Sequence, residues 1–385
     1  PIATGGRENM KTTVGVGLLG CGTVGSNVAD RLHREREVIE RRSGVRFELR
    51  AIAIADPLKQ RSSAIERRLF TRDARSVVDD PQVDLVIEVI GGTNEAAELV
   101  ERALERGRHV VTANKDLIGE QGPRLQALAA SRRCALRFEA AVAGAIPIVR
   151  TLDEALAGDE ILSVAGVMNG TCTSILSAME SGAGYADALA RAQRLGYAES
   201  DPTNDVEGVD AAHKIAIVAQ QAFGLSVISP RVARRGISGV TQRDVARARM
   251  LGYRIRLVAA ALRSPAGVFA DVAPVLVSED HEFARTADAD NVVRLEARAA
   301  GTLVLRGAGA GGVATSSAVL GDVVSVLRAL GQGRGFDLRV RSNPLEAAVR
   351  VDPFFRRLAH TLELPGYAIW EDAPTSLPLQ DLVNA

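Results

Sequence analysis

The sequence predicts an α/β protein: a doubly wound parallel sheet followed by a second, α+β domain. Three observations carry this reading. Apolar runs at 13–20, 47–55, 83–90, 109–112 and 134–139 alternate with helical patterns, the order that builds a parallel sheet with crossover helices. A Gly20-Cys21-Gly22-Thr23-Val24-Gly25 segment stands between the first run and the first helical pattern. From about residue 151 the βα alternation stops, and helical patterns give way to β-rich pieces. At 385 residues the chain is long enough for two domains.

Taken in order, residues 13–20 are apolar and end in glycine, as a short buried strand does. A helix starts near Gly22, with Val24, Val28 and Leu32 at four-residue spacing and Gly44 as its stop. Residues 47–55 form the second strand, and a helical stretch leads to the third at 83–90. Gly91 and Gly92 break that strand, and 94–106 reads as a helix. Strand 109–112 ends at Asn114 and Lys115; a helix at 122–132 and a fifth strand at 134–139 follow. Further on, helices at 185–195 and 211–222 flank an acidic loop, with β-rich pieces at 268–277 and 291–305. Residues 307–312 make a glycine-rich turn into a helix at 315–330, expected to return to the first domain. The expected division is a flexible leader at 1–12 (with Met10 a natural start), a nucleotide domain at 13–150 and an α+β domain at 151–306. A return helix at 307–340 and a C-terminal extension at 341–385 complete it.

Composition excludes several classes. The chain is 46% hydrophobic and 24% charged, with zero formal net charge and a pI near 7.4. That balance calls for neither a nucleic-acid nor a membrane partner. No apolar run approaches the roughly 18 residues of a membrane span, and the polar start is not a secretory signal. Cys21, Cys134 and Cys172 are far apart, with no metal spacing, so a reducing cytoplasm is expected. Of 47 basic residues only Lys11, Lys59, Lys115 and Lys214 are lysine. In so arginine-rich a chain, a lysine inside a motif points to proton chemistry, because a desolvated lysine loses its proton and arginine does not.

The glycine motif is that of a Rossmann-type nucleotide site. Gly20 permits the tight turn, Gly22 lets pyrophosphate approach, and Gly25 allows helix–strand packing, while Thr23 and Val24 open a helix whose N-terminus favours phosphate. Asp56, after the second strand, is the candidate for the adenosine ribose and favours NAD; Lys59, just beyond, favours a 2′-phosphate. The acidic loop carries Glu199, Asp201, Asp205, Glu207 and Asp210. It is no calcium loop, since Val206 stands where the sharp-turn glycine belongs and Ala212 where the closing glutamate belongs. Asp210 and Lys214 lie four apart, so they can touch on one helix face, as surface pairs also do.

Residues 192–214 resemble the homoserine dehydrogenase signature: Gly196, Asp201-Pro202, Asp205, Gly208, Asp210 and Lys214 stand at its defining positions. The similarity extends, in order, to 88–93 (EVIGGT), 112–115 (TANK), 139–147 (EAAVAGAIP), 168–171 (MNGT) and 307–322 (GAGAGGVATSSAVLGD). The resemblance implies reversible, NAD(P)-dependent interconversion of L-homoserine and L-aspartate 4-semialdehyde. It implies Lys214 for proton transfer, Asp210 orienting it, and Lys115 near the reacting oxygen and nicotinamide; neighbouring ammonium groups would depress each other's pKa. It assigns Glu199 to the substrate ammonium and Asp205, Asn169, Gly170, Thr171 and Tyr197 to the substrate. Gly91, Gly92, Thr93 and Gly312 join the coenzyme residues. A monovalent cation such as sodium is implied at main-chain oxygens near Glu139, Val142 and Gly144. A homodimer formed through the second domain is implied as well.

Four positions depart from the family pattern. Ala55 replaces an arginine that touches the coenzyme, a tilt toward NAD. Ala143-Gly144-Ala145 replaces a glycine-rich turn, Thr173 and Ser174 replace asparagine and an aromatic, and Ala314 replaces proline. The turns at 143–145 and 173–174 raise a second reading, the same chemistry on a different amino-acid aldehyde or alcohol. A third reading is a non-catalytic coenzyme-binding protein, against which the lysines retained at 115 and 214 argue. No threonine response is expected of the extension after 341.

Overall fold

In the computed structural model the described residues are 13–59, 65–264, 267–287 and 290–332, with strand backbone at 351–352 and 368–370. The expected leader at 1–12 and most of the extension at 341–385 lie outside them. The chain divides into two compact units, the first built from residues up to 145 and from 311–340, the second from 146–310 and the C-terminal strands.

The first unit contains β1 (Thr13–Leu19), α1 (Thr23–Arg34), α2 (Arg36–Ser43), β2 (Arg46–Ala53), β3 (Phe70–Thr71) and α3 (Ala74–Asp79). It continues with β4 (Leu85–Glu88), α4 (Glu95–Glu105), β5 (His109–Thr112), α5 (Lys115–Ser131) and β6 (Leu136–Arg137). The strands form one parallel sheet in the order β3-β2-β1-β4-β5-β6, which places the switch of direction at β1 and β4. The sequence shows five of these strands; β3 is two residues long and carries no periodic signal. The single helix expected from Gly22 to Gly44 is two, broken at Glu35, and Gly44 ends the second in the left-handed conformation that glycine adopts freely. The helix expected at 122–132 starts seven residues earlier, because Asn114 caps it by accepting from the Leu117 N–H. Gly119, Gly122 and Pro123 obscure this first half in the sequence.

The second unit opens with α6 (Ile148–Arg150), β7 (Ile161–Val167), α7 (Gly170–Glu180), α8 (Tyr185–Arg194), α9 (Thr203–Val206), α10 (Val209–Phe223), β8 (Ala233–Arg234) and α11 (Gln242–Met250). It continues with β9 (Tyr253–Ser264), β10 (Gly267–Ser278), β11 (Asp290–Ala297) and β12 (Gly301–Ala308). These strands, with β13 (Val351–Asp352) and β14 (Ala368–Trp370), form a mixed eight-stranded sheet ordered β12-β11-β7-β9-β10-β13. The β-rich stretch expected at 291–305 is a hairpin, β11 pairing with β12 around residues 298–300. One apolar cluster of this sheet joins Val167, Val258, Val275 and Val292 to Phe283, and α10 packs on β7, β9 and β10.

The last long helix, α12 (Gly312–Gly331), belongs to the first unit. By length and average composition it is apolar enough to cross a membrane, although Asp322 and Arg328 interrupt its apolar run. Its apolar side is spent on the fold instead. Val319, Val323, Val326 and Leu327 are fully buried in the cluster that also holds Val14, Val16, Leu18, Val28 and Leu32. Burying each such side chain favours folding by about 1.5–3 kcal/mol.

Candidate active site

The first unit carries the nucleotide residues. Gly20 takes φ +97°, and a Cβ there would lie 2.8 Å from the Val89 carbonyl oxygen. At Gly25 a Cβ would lie 2.1 Å from the Gly20 carbonyl oxygen, so helix α1 packs against the turn at a distance only glycine allows. A Cβ at Gly22 meets nothing within 4 Å, so this glycine fronts open space at the start of α1. A pocket of about 350 Å³ opens here, lined by Gly20, Gly22, Asp56, Lys59, Arg72 and Glu95 among others. The glycine cradle and the pocket fit a dinucleotide. Asp56 accepts from the Leu58 N–H at 2.8 Å. Gly312 packs against α1, where a Cβ would lie 2.6 Å from Asn27 Nδ2 and 2.8 Å from the Thr23 carbonyl oxygen.

A second cluster in this unit orders the turn that follows β4. The Glu88 carboxylate, fully buried, accepts from the Ile90 N–H (2.8 Å), the Gly91 N–H (3.0 Å) and the Thr112 hydroxyl (2.5 Å). Gly91 and Gly92 have φ of +85° and +78°. Asn114 Nδ2 donates to the Gly92 carbonyl at 2.7 Å while its Oδ1 caps α5, so one side chain ties this turn to the helix whose first residue is Lys115. Thr93 and Lys115 are half-buried at this end of the sheet. Sequence reasoning missed Glu88, Thr112 and Asn114 as a unit, since only the parallel pairing of β4 with β5 brings 88 opposite 112.

The segment expected to hold a cation follows β6. Glu139 is buried; its N–H donates to the Asp322 carboxylate at 2.9 Å and its carbonyl accepts from the Val142 N–H at 3.3 Å. Ala143 and Gly144 follow with φ of +51° and +57°, a sharp turn with one non-glycine residue in the left-handed region. Among the described residues no group of three His, Cys, Asp or Glu side chains could hold a metal.

The second unit gathers the acidic and amide residues. Twelve residues of α10, including Asp210 and Lys214, are buried, so the Asp210–Lys214 spacing is no solvated surface pair. Lys214 Nζ donates to Asp210 Oδ2 at 2.7 Å and to the Met168 carbonyl at 2.6 Å. An ammonium has three protons, so one remains beyond these two bonds. Asn169 caps α7 with Oδ1, accepting from the Cys172 N–H at 2.8 Å. Its Nδ2 donates to Asp205 Oδ1 at 2.7 Å and to Asp210 Oδ2 at 2.9 Å. One amide thus separates the buried carboxylate of Asp210 from the half-buried one of Asp205, two like charges that would otherwise repel. The Thr171 hydroxyl lies 3.0 Å from Asp205 Oδ2 and 2.7 Å from the Tyr197 carbonyl, and Gly170 begins the helix. Cys172 is fully buried and donates to the Asp205 carbonyl at 3.2 Å; burial first, then the neighbouring carboxylates, pushes its thiol well above the usual range.

Asn169, Thr171, Asp205, Asp210 and Lys214 therefore form one bonded cluster, joined by the Tyr197 main chain. The Tyr197 ring is 38% exposed, and the Glu199 carboxylate is exposed and takes no part in the cluster. The Glu199 main-chain oxygen accepts from Gln193. Met168 lies in the 168–171 match, but the role of its carbonyl in holding Lys214 escaped the sequence reading, because a main-chain acceptor leaves no mark in residue types.

Comparison with known proteins identifies the family of the chain. The family model described as "Homoserine dehydrogenase" matches residues 147–324, and that described as "Homoserine dehydrogenase, NAD binding domain" matches residues 20–139. The chain is 44% identical over 323 residues to a homoserine dehydrogenase of Corynebacterium glutamicum, covering 82% of this chain and 72% of that one. It is 46% identical over 321 residues to one of Mycobacterium tuberculosis, with the same coverage. A solved homoserine dehydrogenase from Thiobacillus denitrificans superposes with a TM-score of 0.80 at 40% identity, over 92% of this chain and 80% of the other. A hyperthermophilic archaeal homoserine dehydrogenase in complex with NADPH gives 0.67 at 25% identity, over 82% and 97%.

Proposed function

The chain belongs to the homoserine dehydrogenase family, and from that premise we propose how its residues divide the work. The activity is the NAD(P)-dependent interconversion of L-homoserine and L-aspartate 4-semialdehyde; the relatives do not favour a different amino-acid substrate. The buried Lys214–Asp210 pair, fixed by the Met168 carbonyl, is the single observation that carries the residue assignment.

The coenzyme supplies the acceptor for the hydride that leaves the carbinol carbon, and its donor in the reverse direction. Lys214 moves the hydroxyl proton. As a neutral amine it keeps two N–H bonds, to Asp210 and Met168, and turns its lone pair to the substrate hydroxyl; as an ammonium it returns the third proton to the aldehyde oxygen. Asp210 holds Lys214 in place, and Asn169 holds Asp210. Asp205, Thr171, Gly170 and the Tyr197 main chain bind the polar end of the amino acid, with Glu199 taking its ammonium. Lys115, at the head of α5, supplies a second cation for the reacting oxygen. Gly20, Gly22, Thr23, Val24, Gly25, Gly91, Gly92, Thr93 and Gly312 hold the coenzyme, and Asp56 takes the adenosine ribose, which favours NAD. A monovalent cation on main-chain oxygens of Glu139, Val142 and Gly144 is supported by the tight turn at 143–144. The chain works in the cytoplasm as a homodimer; support comes from its three free, buried cysteines for the first and the family resemblance for the second. Light scattering tests the dimer: a mass of 40.7 kDa in solution would dismiss it.

The deciding experiment is oxidation of NADH and NADPH by the purified protein with aspartate 4-semialdehyde. Turnover establishes the assignment of substrate; coenzyme binding with no turnover removes it.

A further inference from the structure

Between the turn at 90–93 and Lys115 stand three buried side chains with no task in the chemistry: Glu88, Thr112 and Asn114. Glu88 ends β4 and Thr112 ends β5, and the parallel pairing sets them opposite one another. The Thr112 hydroxyl donates to Glu88 and, through the same oxygen, accepts from the Asn114 N–H at 3.0 Å. The Asn114 amide reaches the Gly92 carbonyl, and the Ile90 and Gly91 N–H groups return to Glu88. The result is a closed ring of hydrogen bonds that runs from the turn through two strand ends to the residue before Lys115. Glu88 and Thr112 are 0% exposed and Asn114 4%. A carboxylate is costly to bury unless it is paired or hydrogen-bonded. Among the described residues Glu88 has no cation partner, so the donors of the ring account for its place.

Gly91 and Gly92 are exposed, and a Cβ at either would meet nothing within 4 Å. Packing therefore does not set their left-handed φ, and glycine permits that conformation without requiring it. Glu88 sets it from the buried side by holding two N–H groups, and Asn114 by holding the Gly92 carbonyl. The same Asn114 side chain caps α5, so the turn and the head of that helix share one anchor. We propose that Glu88, Thr112 and Asn114 are positioning residues that join the turn at 90–93 and Lys115 into one block, so that bound coenzyme and the Lys115 cation keep a fixed separation. Hydride transfer depends on such placement, since a misplacement of about 1 Å costs about 10²-fold in rate. The inference rests on the dehydrogenase reading, which puts the coenzyme on this turn.

The test combines hydrogen exchange, read by mass spectrometry, with single-turnover oxidation of bound NADH by aspartate 4-semialdehyde. It compares the wild type with Asn114→Asp, Asn114→Ser and Thr112→Val. Asp and Ser cap a helix about as well as Asn does, so α5 stays formed, but neither carries an amide that reaches Gly92, and Ser adds no charge. Val removes the Thr112 hydroxyl at nearly unchanged volume. Without coenzyme, the amides of 90–92 should exchange about tenfold faster in each variant, as for one lost hydrogen bond. NADH should slow exchange at 90–93 and at 115–118 in the wild type, and at 90–93 alone in the Asn114 variants. The single-turnover rate is counted per bound coenzyme, so a loss of folded protein does not move it; in the variants it should fall about tenfold or more. KM for aspartate 4-semialdehyde should change little, because the cluster at 169–214 shares no bond with the ring. Unchanged exchange at 90–92 in the variants, NADH protection that stops at the turn in the wild type, or an unchanged single-turnover rate overturns the proposal. A wild type whose NADH protection spans both segments but that oxidises no NADH fails differently: it removes the dehydrogenase reading and leaves the coupling supported.

Discussion

Lys214 and Asp210 face each other across one turn of a buried helix, their charged atoms 2.7 Å apart, with side chains 11% and 7% exposed. A pair so sheltered is costly to desolvate, and the Met168 carbonyl and the Asn169 amide complete its hydrogen bonds.

Replacing Lys214 with Ala should lower kcat by about 10²–10⁴, the range for loss of a positioned acid/base, while coenzyme affinity, measured by NADH fluorescence, holds. Arg at 214 should not restore turnover, since it keeps its proton near neutral pH. Removing one partner of a buried pair also destabilises, by about 3–5 kcal/mol, so Tm should drop in both Lys214→Ala and Asp210→Ala. Turnover in Lys214→Ala equal to that of the wild type would take Lys214 out of the mechanism.

Two glycines of the same motif should separate folding from binding. Gly22→Ala puts a methyl into open space, so Tm should stay within about 1 °C of the wild type, as for a surface substitution without steric conflict. Its coenzyme affinity should fall, because pyrophosphate needs close approach there. Gly25→Ala drives a methyl to 2.1 Å from the Gly20 carbonyl oxygen and should destabilise by about 1–3 kcal/mol. Thermal melts and nucleotide titrations of the two proteins decide it; equal melting temperatures would refute the packing role of Gly25.

Ala143 holds φ +51°, a conformation that costs a residue bearing a Cβ roughly 1–2 kcal/mol. Ala143→Gly removes that cost but frees the unfolded chain, so a net gain of about 0.5 kcal/mol, near 1 °C in Tm, is expected. Calorimetry that finds a lower Tm would show that the methyl packs better than its backbone is strained.

Burial pushes the Cys134 thiol up from an ordinary 9.0 to about 11. The folded state therefore keeps its proton where the unfolded chain has lost it. The contribution to stability is complete below pH 9.0 and is lost as pH rises through about 11. Native protein at pH 8 should react with an alkylating reagent far more slowly at Cys134 than urea-unfolded protein does. Equal rates, read by mass spectrometry, would contradict its burial.

The parallel nucleotide sheet, the glycine turn and the motif from 196 to 214 are legible along the chain, because they rest on local signals: apolar runs, glycine spacing and motif order. The sequence named Asp210 and Lys214 by their four-residue spacing but could not tell a surface pair from a buried one. It also placed a helix at 315–330 and expected it to return to the first domain, without showing which of its side chains are buried. Tertiary structure decided the rest. The β4–β5 pairing sets Glu88 beside Thr112, the β3 strand carries Arg72 to the pocket of Asp56, and Met168 lends a carbonyl to Lys214. Each of these joins residues far apart in the chain or uses main-chain atoms, which are the same in every residue. Burial and partnership arise only when the chain closes on itself, so composition and spacing carry no record of them.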